Sequence, residues 1–347
     1  SGSVVCFGAA GPLLGVGVGV NDGGSSHVNT GSDPFLFEAI GFGKDGNDVA
    51  YTAKSLRMSS RGACIIRSDD KVQCWGPNAN GEAGVGDTNA IGDSSRSVAA
   101  AGPATLSGAA VVQVTVGRIS ACALTVAGRA TCWGGYGGSF SSDLGQDFGG
   151  VFMNIGDGIT PALRDVLPIV YGDKSVFIKQ ISTGLFHSCA LSTQGGVYCW
   201  GSNGYGQLGL SINANLPSGF LVGADPVDLG SRTPDRIMAT GSGSCIRDAA
   251  TGEVVCWGAG VFADVHEPSI RYGTAGNPVS GALALPLSDV YTYLTPLPGF
   301  DIQSHEFTHA CVMTQGADVQ CFGSNSNCAL GVPGLLISDK VQAGAGT

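Results

Sequence analysis

Charge is scarce in this sequence. Charged residues fill 13% of its 347 positions, about half the share of an ordinary soluble domain. The 17 basic residues form no cluster, and with 27 acidic residues the formal net charge is −10. Nucleic-acid binders draw much of their affinity from neutralising phosphates. DNA, RNA and anionic membrane surfaces are therefore poor candidates as partners. No apolar run reaches the roughly 18 residues that a membrane span needs, and no Asn-x-Ser/Thr sequon occurs, so neither a span nor an N-linked glycan is expected. The opening SGSVVCFG has no initiator Met, basic n-region or apolar h-region, and reads as a mature or trimmed product. Catalytic motifs are missing too. No Ser/His/Asp or Cys/His set assembles with positional logic, and the GxG runs near 15–24 are turn-like with no helix after them. An enzyme is not expected.

Glycine and cysteine are abundant instead, at 57 and 12 residues. A low-charge, Gly- and Val-rich chain with few helix formers points to all-β structure with many turns. Ten cysteines fall into pairs ten or eleven apart: Cys64 and Cys74, Cys122 and Cys132, Cys189 and Cys199, Cys245 and Cys256, Cys311 and Cys321. Their surroundings repeat, as ACIIRSDDKVQCWG, ACALTVAGRATCWG, SCALSTQGGVYCWG, SCIRDAATGEVVCWG and ACVMTQGADVQCFG. The second cysteine recurs after 58, 67, 57 and 65 residues, and Cys6 in SVVCFG matches the same position. Internal periodicity of this kind decides the fold before any local reading.

Each unit reads as a β-hairpin with a short polar turn between two apolar arms. A spacing of ten predicts a turn with an odd number of residues, and a spacing of eleven predicts one residue more. In either case the two sulfurs face each other across neighbouring strands, within disulfide reach. Such a clip closes a loop of about ten residues and contributes roughly 2–3 kcal/mol. Zinc pairs lie two to four residues apart in knuckle-like turns, which does not fit this spacing followed by Trp-Gly. Reduced core thiols are the other alternative. Disulfides imply an oxidising compartment and a secreted protein. With the turn after each CWG and the β-rich approach to each first cysteine, one unit holds about four short strands, the content of one propeller blade.

These residues resemble the regulator-of-chromosome-condensation repeat family. GLFHSCALSTQGGVYCWGSNGYGQLGL (184–210) is nearly a consensus copy, and GRISACALTVAGRATCWG (117–134) is close. The resemblance covers five whole units and one partial one. It implies a single β-propeller domain over 1–347, of six four-stranded blades with one hairpin disulfide each, a seven-bladed parent remaining open. The paired cysteines look like the secreted branch of the family, some of whose propellers inhibit β-lactamases. Nuclear members act as guanine-nucleotide exchange factors, but this acidic chain has no basic tail. The family's His before the first cysteine stands at His187 and His309, and is Gly62, Ser120 and Gly243 elsewhere. The closing SDKVQAGAGT resembles an approach strand, which would let the two ends share one blade.

Trp75, Trp133, Trp200 and Trp257 recur once per unit, and are expected to pack between blades. Cys6 and Cys328 stand outside the hairpins. They are expected to bridge to each other as a terminal staple, or else to bond to another segment or chain. HEFTH (305–309) matches a zinc-binding motif in letters, with Glu306 placed like its base, but falls in a predicted strand, where residues four apart lie about 13 Å from each other. No cofactor is expected. The acidic stretches 44–48, 84–94 and 145–158 are read as solvated turns, with Ca²⁺ as the alternative. Long insertions carry Tyr136, Phe140, Phe148, Phe262, Tyr291 and Tyr293, candidates for recognition loops on a rigid scaffold. The expected function is an extracellular, non-enzymatic protein-binding module. A self-assembling subunit of a filament, appendage or surface layer is the alternative, and a propeller enzyme a remote third.

Overall fold

The computed structural model describes residues 2–4, 6, 39–59, 61–93, 95–107, 110–135, 144, 154–159, 169, 176–210, 225–258, 272–274 and 276–283, and the backbone of 309–313, 319–324 and 340–342. The chain divides into two compact units, Ser1–Tyr136 with Val151–Pro168, and Gly137–Gly150 with Ile169–Thr347. No helix among the described residues is long and apolar enough to cross a membrane.

The first unit holds two three-stranded antiparallel sheets. One is β1 (Ala53–Met58), β2 (Ala63–Arg67) and β3 (Val72–Trp75); the other is β4 (Val111–Val116), β5 (Ser120–Thr125) and β6 (Ala130–Gly134). A single helical turn, α1 (Val98–Ala101), lies between them and is capped by the Ser97 side chain. The second unit repeats the plan twice and adds a third sheet, in which the hairpin pair is joined by the segment after it instead of the one before it. Its sheets are β7 (Ile178–Thr183), β8 (His187–Ser192) and β9 (Val197–Gly201); β10 (Pro234–Ala239), β11 (Gly243–Asp248) and β12 (Val254–Gly258); and β13 (His309–Met313), β14 (Val319–Ser324) and β15 (Lys340–Gln342).

The hairpin turns follow the cysteine spacing. The closing hydrogen bonds run from Arg67 N to Lys71 O, Thr125 N to Arg129 O and Ser192 N to Gly196 O, leaving three-residue turns. The eleven-residue spacing gives four turn residues between Asp248 and Glu253, joined at 2.8 Å. The last turn residue is left-handed in each: Asp70 (φ 63°), Gly128 (68°), Gly195 (88°) and Gly252 (74°), the residues that tolerate this conformation best. Hydrogen-bonded pairs alternate with non-hydrogen-bonded ones along an antiparallel ladder. Counting from the closing bonds, all four described cysteine pairs fall on non-hydrogen-bonded positions, where strands approach most closely. Cys64 bonds Cys74, Cys122 bonds Cys132, Cys189 bonds Cys199 and Cys245 bonds Cys256, with Cα separations of 4.0–4.1 Å. The backbone register also sets Cys311 opposite Cys321.

Strands β2, β5, β8 and β11 are buried along almost their whole length. They are covered on both faces, so their sequences read as apolar runs rather than alternations. In the second unit Leu191, Val197, Leu208, Val227, Ile237, Ile246, Val255, Trp257 and Val279 share one core.

Among the described residues each sheet has three hydrogen-bonded strands. In the first two sheets the fourth segment touches through one residue, Ile91 paired with Gly76 and Ile155 with Gly134. Tyr272 O accepts from Gly258 N in the same way. The glycine after each Trp turns the strand away: Gly134 has φ 106°, and a Cβ there would lie 2.4 Å from Ile119 O. At Gly76 and Gly134 the contact is a single bridge. The expectation that the closing segment is an approach strand needs correction. Lys340–Gln342 pairs with β14, setting Val341 opposite Gly323, the place held by Ile91 and Ile155 in the earlier sheets.

The N-terminal residues hold a repeat position as well. Ile40 N donates to Val4 O and Ala53 N to Gly2 O. Ala104 N donates to Val72 O and Val111 N to Asp70 O in the same pattern. Gly2 and Val4 thus correspond to Asp70 and Val72, and Cys6 to Cys74.

Gly134→Ala is expected to cost about 2–4 kcal/mol, because strain adds to a clash with fixed backbone. Gly86→Ala, at φ 88° with open space around it, is expected to cost about 1 kcal/mol. Denaturant midpoints test the contrast; equal costs would contradict the close backbone approach at Gly134.

Candidate functional site

The residues of distinctive chemistry gather at the seams between neighbouring sheets of the same unit. The four repeat tryptophans are buried, none more than 3% exposed. Trp133 Nε1 donates to Glu82 O at 2.9 Å in the first unit, and Trp257 Nε1 to Gln207 O at 3.0 Å in the second. Glu82 and Gln207 occupy the same place in the turn after Trp-Gly. Each indole therefore reaches from its own sheet to the turn of the preceding one, satisfying its N–H while burying its ring. Trp75 packs near Phe42, with ring centroids 6.1 Å apart.

The accepting turn is built around a buried asparagine. Asn78 Oδ1 accepts from Ala83 N at 2.8 Å, and Asn203 Oδ1 from Leu208 N at 2.9 Å. Asn78 Nδ2 donates to Asp87 O and Asn89 O. The side chain of Glu82 accepts from Asn80 N, and that of Gln207 from Tyr205 N. Sequence reasoning missed these asparagines, although an Asn two residues after the glycine of Trp-Gly at 78 and 203, and of Phe-Gly at 325, was the available signal.

In the second unit further side chains cross the same seam. Gln180 donates from Nε2 to Ile237 O and accepts at Oε1 from Ile237 N, both at 3.0 Å. Ser182 Oγ accepts from Ala239 N at 2.8 Å. His187 Nε2 lies 3.0 Å from Ser244 Oγ, which donates to Gln207 O at 2.9 Å. The Cys189 sulfur lies 3.4 Å from the same hydroxyl. The disulfide face of one sheet thus meets the indole face of the next.

Charge is confined to local clamps. Arg67, 4% exposed, pairs with Asp69 and stacks 3.7 Å from the Tyr51 ring centroid. Burial works against the Asp69 charge, but Arg67 and Lys71 outweigh it and hold the carboxyl below its ordinary range. Burial likewise opposes ionised Asp87, while the Asn89 backbone and Arg96 hold it low. Arg247 pairs with Asp235. The acidic stretches are similarly engaged: Asp45 accepts from the Asn47 and Val49 backbone, Lys44 pairs with Asp48, and Asp157 accepts from Ile159 N. Among the described residues no group of three or more His, Cys, Asp or Glu is placed to hold a metal ion.

Among the described residues Cys6 is in no disulfide, and burial raises the pKa of its thiol. Cys328, His305, Glu306 and the candidate recognition aromatics Tyr136, Phe140, Phe148, Phe262, Tyr291 and Tyr293 lie outside the described residues. His309 opens strand β13.

The fold is shared with solved structures. Human WBSCR16 superposes with a TM-score of 0.64 at 16% identity, over 93% of this chain and 72% of that one. Prp20p of Saccharomyces cerevisiae superposes with a TM-score of 0.61 at 20% identity, over 94% and 68%. The regulator of chromosome condensation (RCC1) repeat model matches residues 178–207 and 194–254. Among curated proteins, the probable E3 ubiquitin-protein ligase HERC4 of Mus musculus is 56% identical over 36 residues, 10% of this chain. The chain spans only 3% of that relative's length. The chain is a β-propeller protein. Residues 178–254 match RCC1 repeats, and the clipped hairpins fit the disulfide-containing branch of that family.

Asn203→Ala strands the buried Leu208 N–H and is expected to cost about 1–3 kcal/mol. Trp257→Phe keeps most of the ring but removes the donor to Gln207 O, and is expected to cost about 1–2 kcal/mol. Urea unfolding of the two variants checks both. An Asn203→Ala protein as stable as the parent would contradict the role given to the turn.

Proposed function

We propose that this chain is an extracellular, non-enzymatic recognition module, a clipped propeller that presents the segments between its hairpins to a protein partner. One observation carries the reading. The side chains with chemistry to offer are consumed by the scaffold itself: eight cysteines are oxidised, two indole N–H groups are spent on turn carbonyls, and Asn78, Asn203 and His187 are buried in hydrogen bonds. What differs from unit to unit is the connecting sequence, where loops on a rigid frame usually carry recognition. The oxidised hairpins support a secreted setting. The net charge of −10 favours a basic partner surface. Prp20p was solved with attention to its binding to Gsp1p and histones, and yeast RCC1 with Kap60 bound; those are partners of those proteins, and support protein binding here by analogy of fold.

We also infer six blades in one domain, because residues 2–4 take the place of a hairpin's second strand and add a sixth position to the five sheets. A second reading, a subunit of an extracellular assembly, is favoured by Cys6, which among the described residues is in no disulfide, at a position that is oxidised in four other repeats.

Photo-cross-linkers placed at Phe140, Phe262 and Tyr291 in the secreted protein separate these readings. A discrete adduct with one other protein, lost in a Tyr291→Ala/Tyr293→Ala variant of unchanged thermal stability, is the expected result. A ladder of self-adducts joined through Cys6, with no second protein, would replace the recognition reading with the assembly one.

A further inference from the structure

His187 is fully buried, yet one of its ring nitrogens has no partner. Nε2 faces Ser244 Oγ at 3.0 Å. That hydroxyl gives its own proton to Gln207 O at 2.9 Å, so Nε2 must be the donor and the ring is the neutral Nε2–H tautomer. Nδ1 then keeps a bare lone pair, and no hydrogen-bond partner reaches it. The space beside it is closed by backbone: a Cβ on Gly184 would lie 2.8 Å from Nδ1 and 2.0 Å from Thr240 O. Protonation would add an N–H at Nδ1 and place a charge on a fully buried ring. Such a group ionises only when it is exposed.

Exposure has a defined route. The ring sits at the start of β8, and its partners are Ser244 on β11 and the 203–209 turn, whose Gln207 carbonyl also accepts from Trp257 Nε1. Wetting His187 means parting β8 and the 203–209 turn from β11.

We propose that the seam between the β7–β8–β9 and β10–β11–β12 sheets is an acid-released joint, held shut at neutral pH by His187, Ser244 and Gln207 and opened by protonation of the exposed ring. Burial pulls the closed-state pKa of His187 down to about 4 from 6.5, opposed only by the Gly243 backbone. The charged groups on the packed strands, Lys179 on β7, Asp235 and Arg236 on β10, and Arg247 and Asp248 on β11, do not contribute to its ionisation. Because the closed-state value is depressed, the open form binds the extra proton. The joint's stability is complete above pH 6.5, falls as pH drops from 6.5 towards 4 and levels off below that. Asp69, Asp87 and Asp248 are held below their ordinary value of 3.8 and act beneath this window.

Hydrogen exchange read by mass spectrometry at pH 7 and pH 5, corrected for the intrinsic rate, tests the joint. Peptides covering the 203–209 turn and β11 should exchange about twentyfold faster relative to pH 7, the ratio set by the two pKa values through proton linkage. The seam between β2 and β5, with Gly62 and Ala121 at the equivalent positions, should not change. His187→Gln, which keeps a donor toward Ser244 but cannot titrate, should abolish the response. An equal acid response in this variant, or in both seams, would overturn the proposal. Should His187→Gln not fold, NMR of labelled histidine in the parent decides: a His187 ring that titrates near 6.5 without change in turn exchange overturns it, and one that stays neutral until the turn opens supports it.

Discussion

Everything in this molecule is registered from a sulfur bridge between directly opposed residues of a hairpin. A one-residue slip would send the two cysteines to opposite faces of the sheet, so a closed bridge fixes which face of each strand meets which neighbour. One face then carries sulfur and the other carries tryptophan. Cys189 approaches Ser244 of the following sheet, and Trp257 of that sheet reaches back to Gln207. The seam is the consequence of the clip.

The composition follows from the seam. Backbone approaches backbone closely wherever a turn docks on the next sheet, as at Gly206 beside Gly273 and Gly81 beside Gly156. Side chains would hold these surfaces apart, and a chain made of such contacts needs many glycines. Charge has little place there, and where it occurs it is clamped locally, as in Arg67 with Asp69. The polar groups that remain inside are single hydrogen-bonding side chains, each spent on a neighbour's backbone. A fully satisfied network of that kind specifies geometry, and a half-satisfied one marks the place where the structure yields first. His187 is the member with an unspent nitrogen.

Much of the scaffold was legible in the sequence. The spacing of ten gave three-residue turns, and the spacing of eleven gave the longer one at 249–252. The pairing of Cys64 with Cys74 and its equivalents could be read because sulfur chemistry needs opposed positions. Other features left no such trace. Asn78 and Asn203 look like ordinary turn residues, since burial of a turn asparagine depends on which sheet lies over it. Ile91 and Ile155 touch their sheets through one residue each, too short to show a strand period. The 340–342 segment has the composition of any strand, and only its pairing with β14 assigns it. The His187 relay needs Ser244, 57 residues away, and the equivalent pair in the first unit is Gly62 with Ala121. The aromatic residues proposed for recognition sit in stretches whose sequence has no repeat to read them by.

Peptide mapping of the native protein under non-reducing conditions tests the registering bridge most directly. Five links are expected, each inside one hairpin: Cys64 to Cys74, Cys122 to Cys132, Cys189 to Cys199, Cys245 to Cys256 and Cys311 to Cys321. Free thiols at these positions, or links joining different hairpins, would contradict the account.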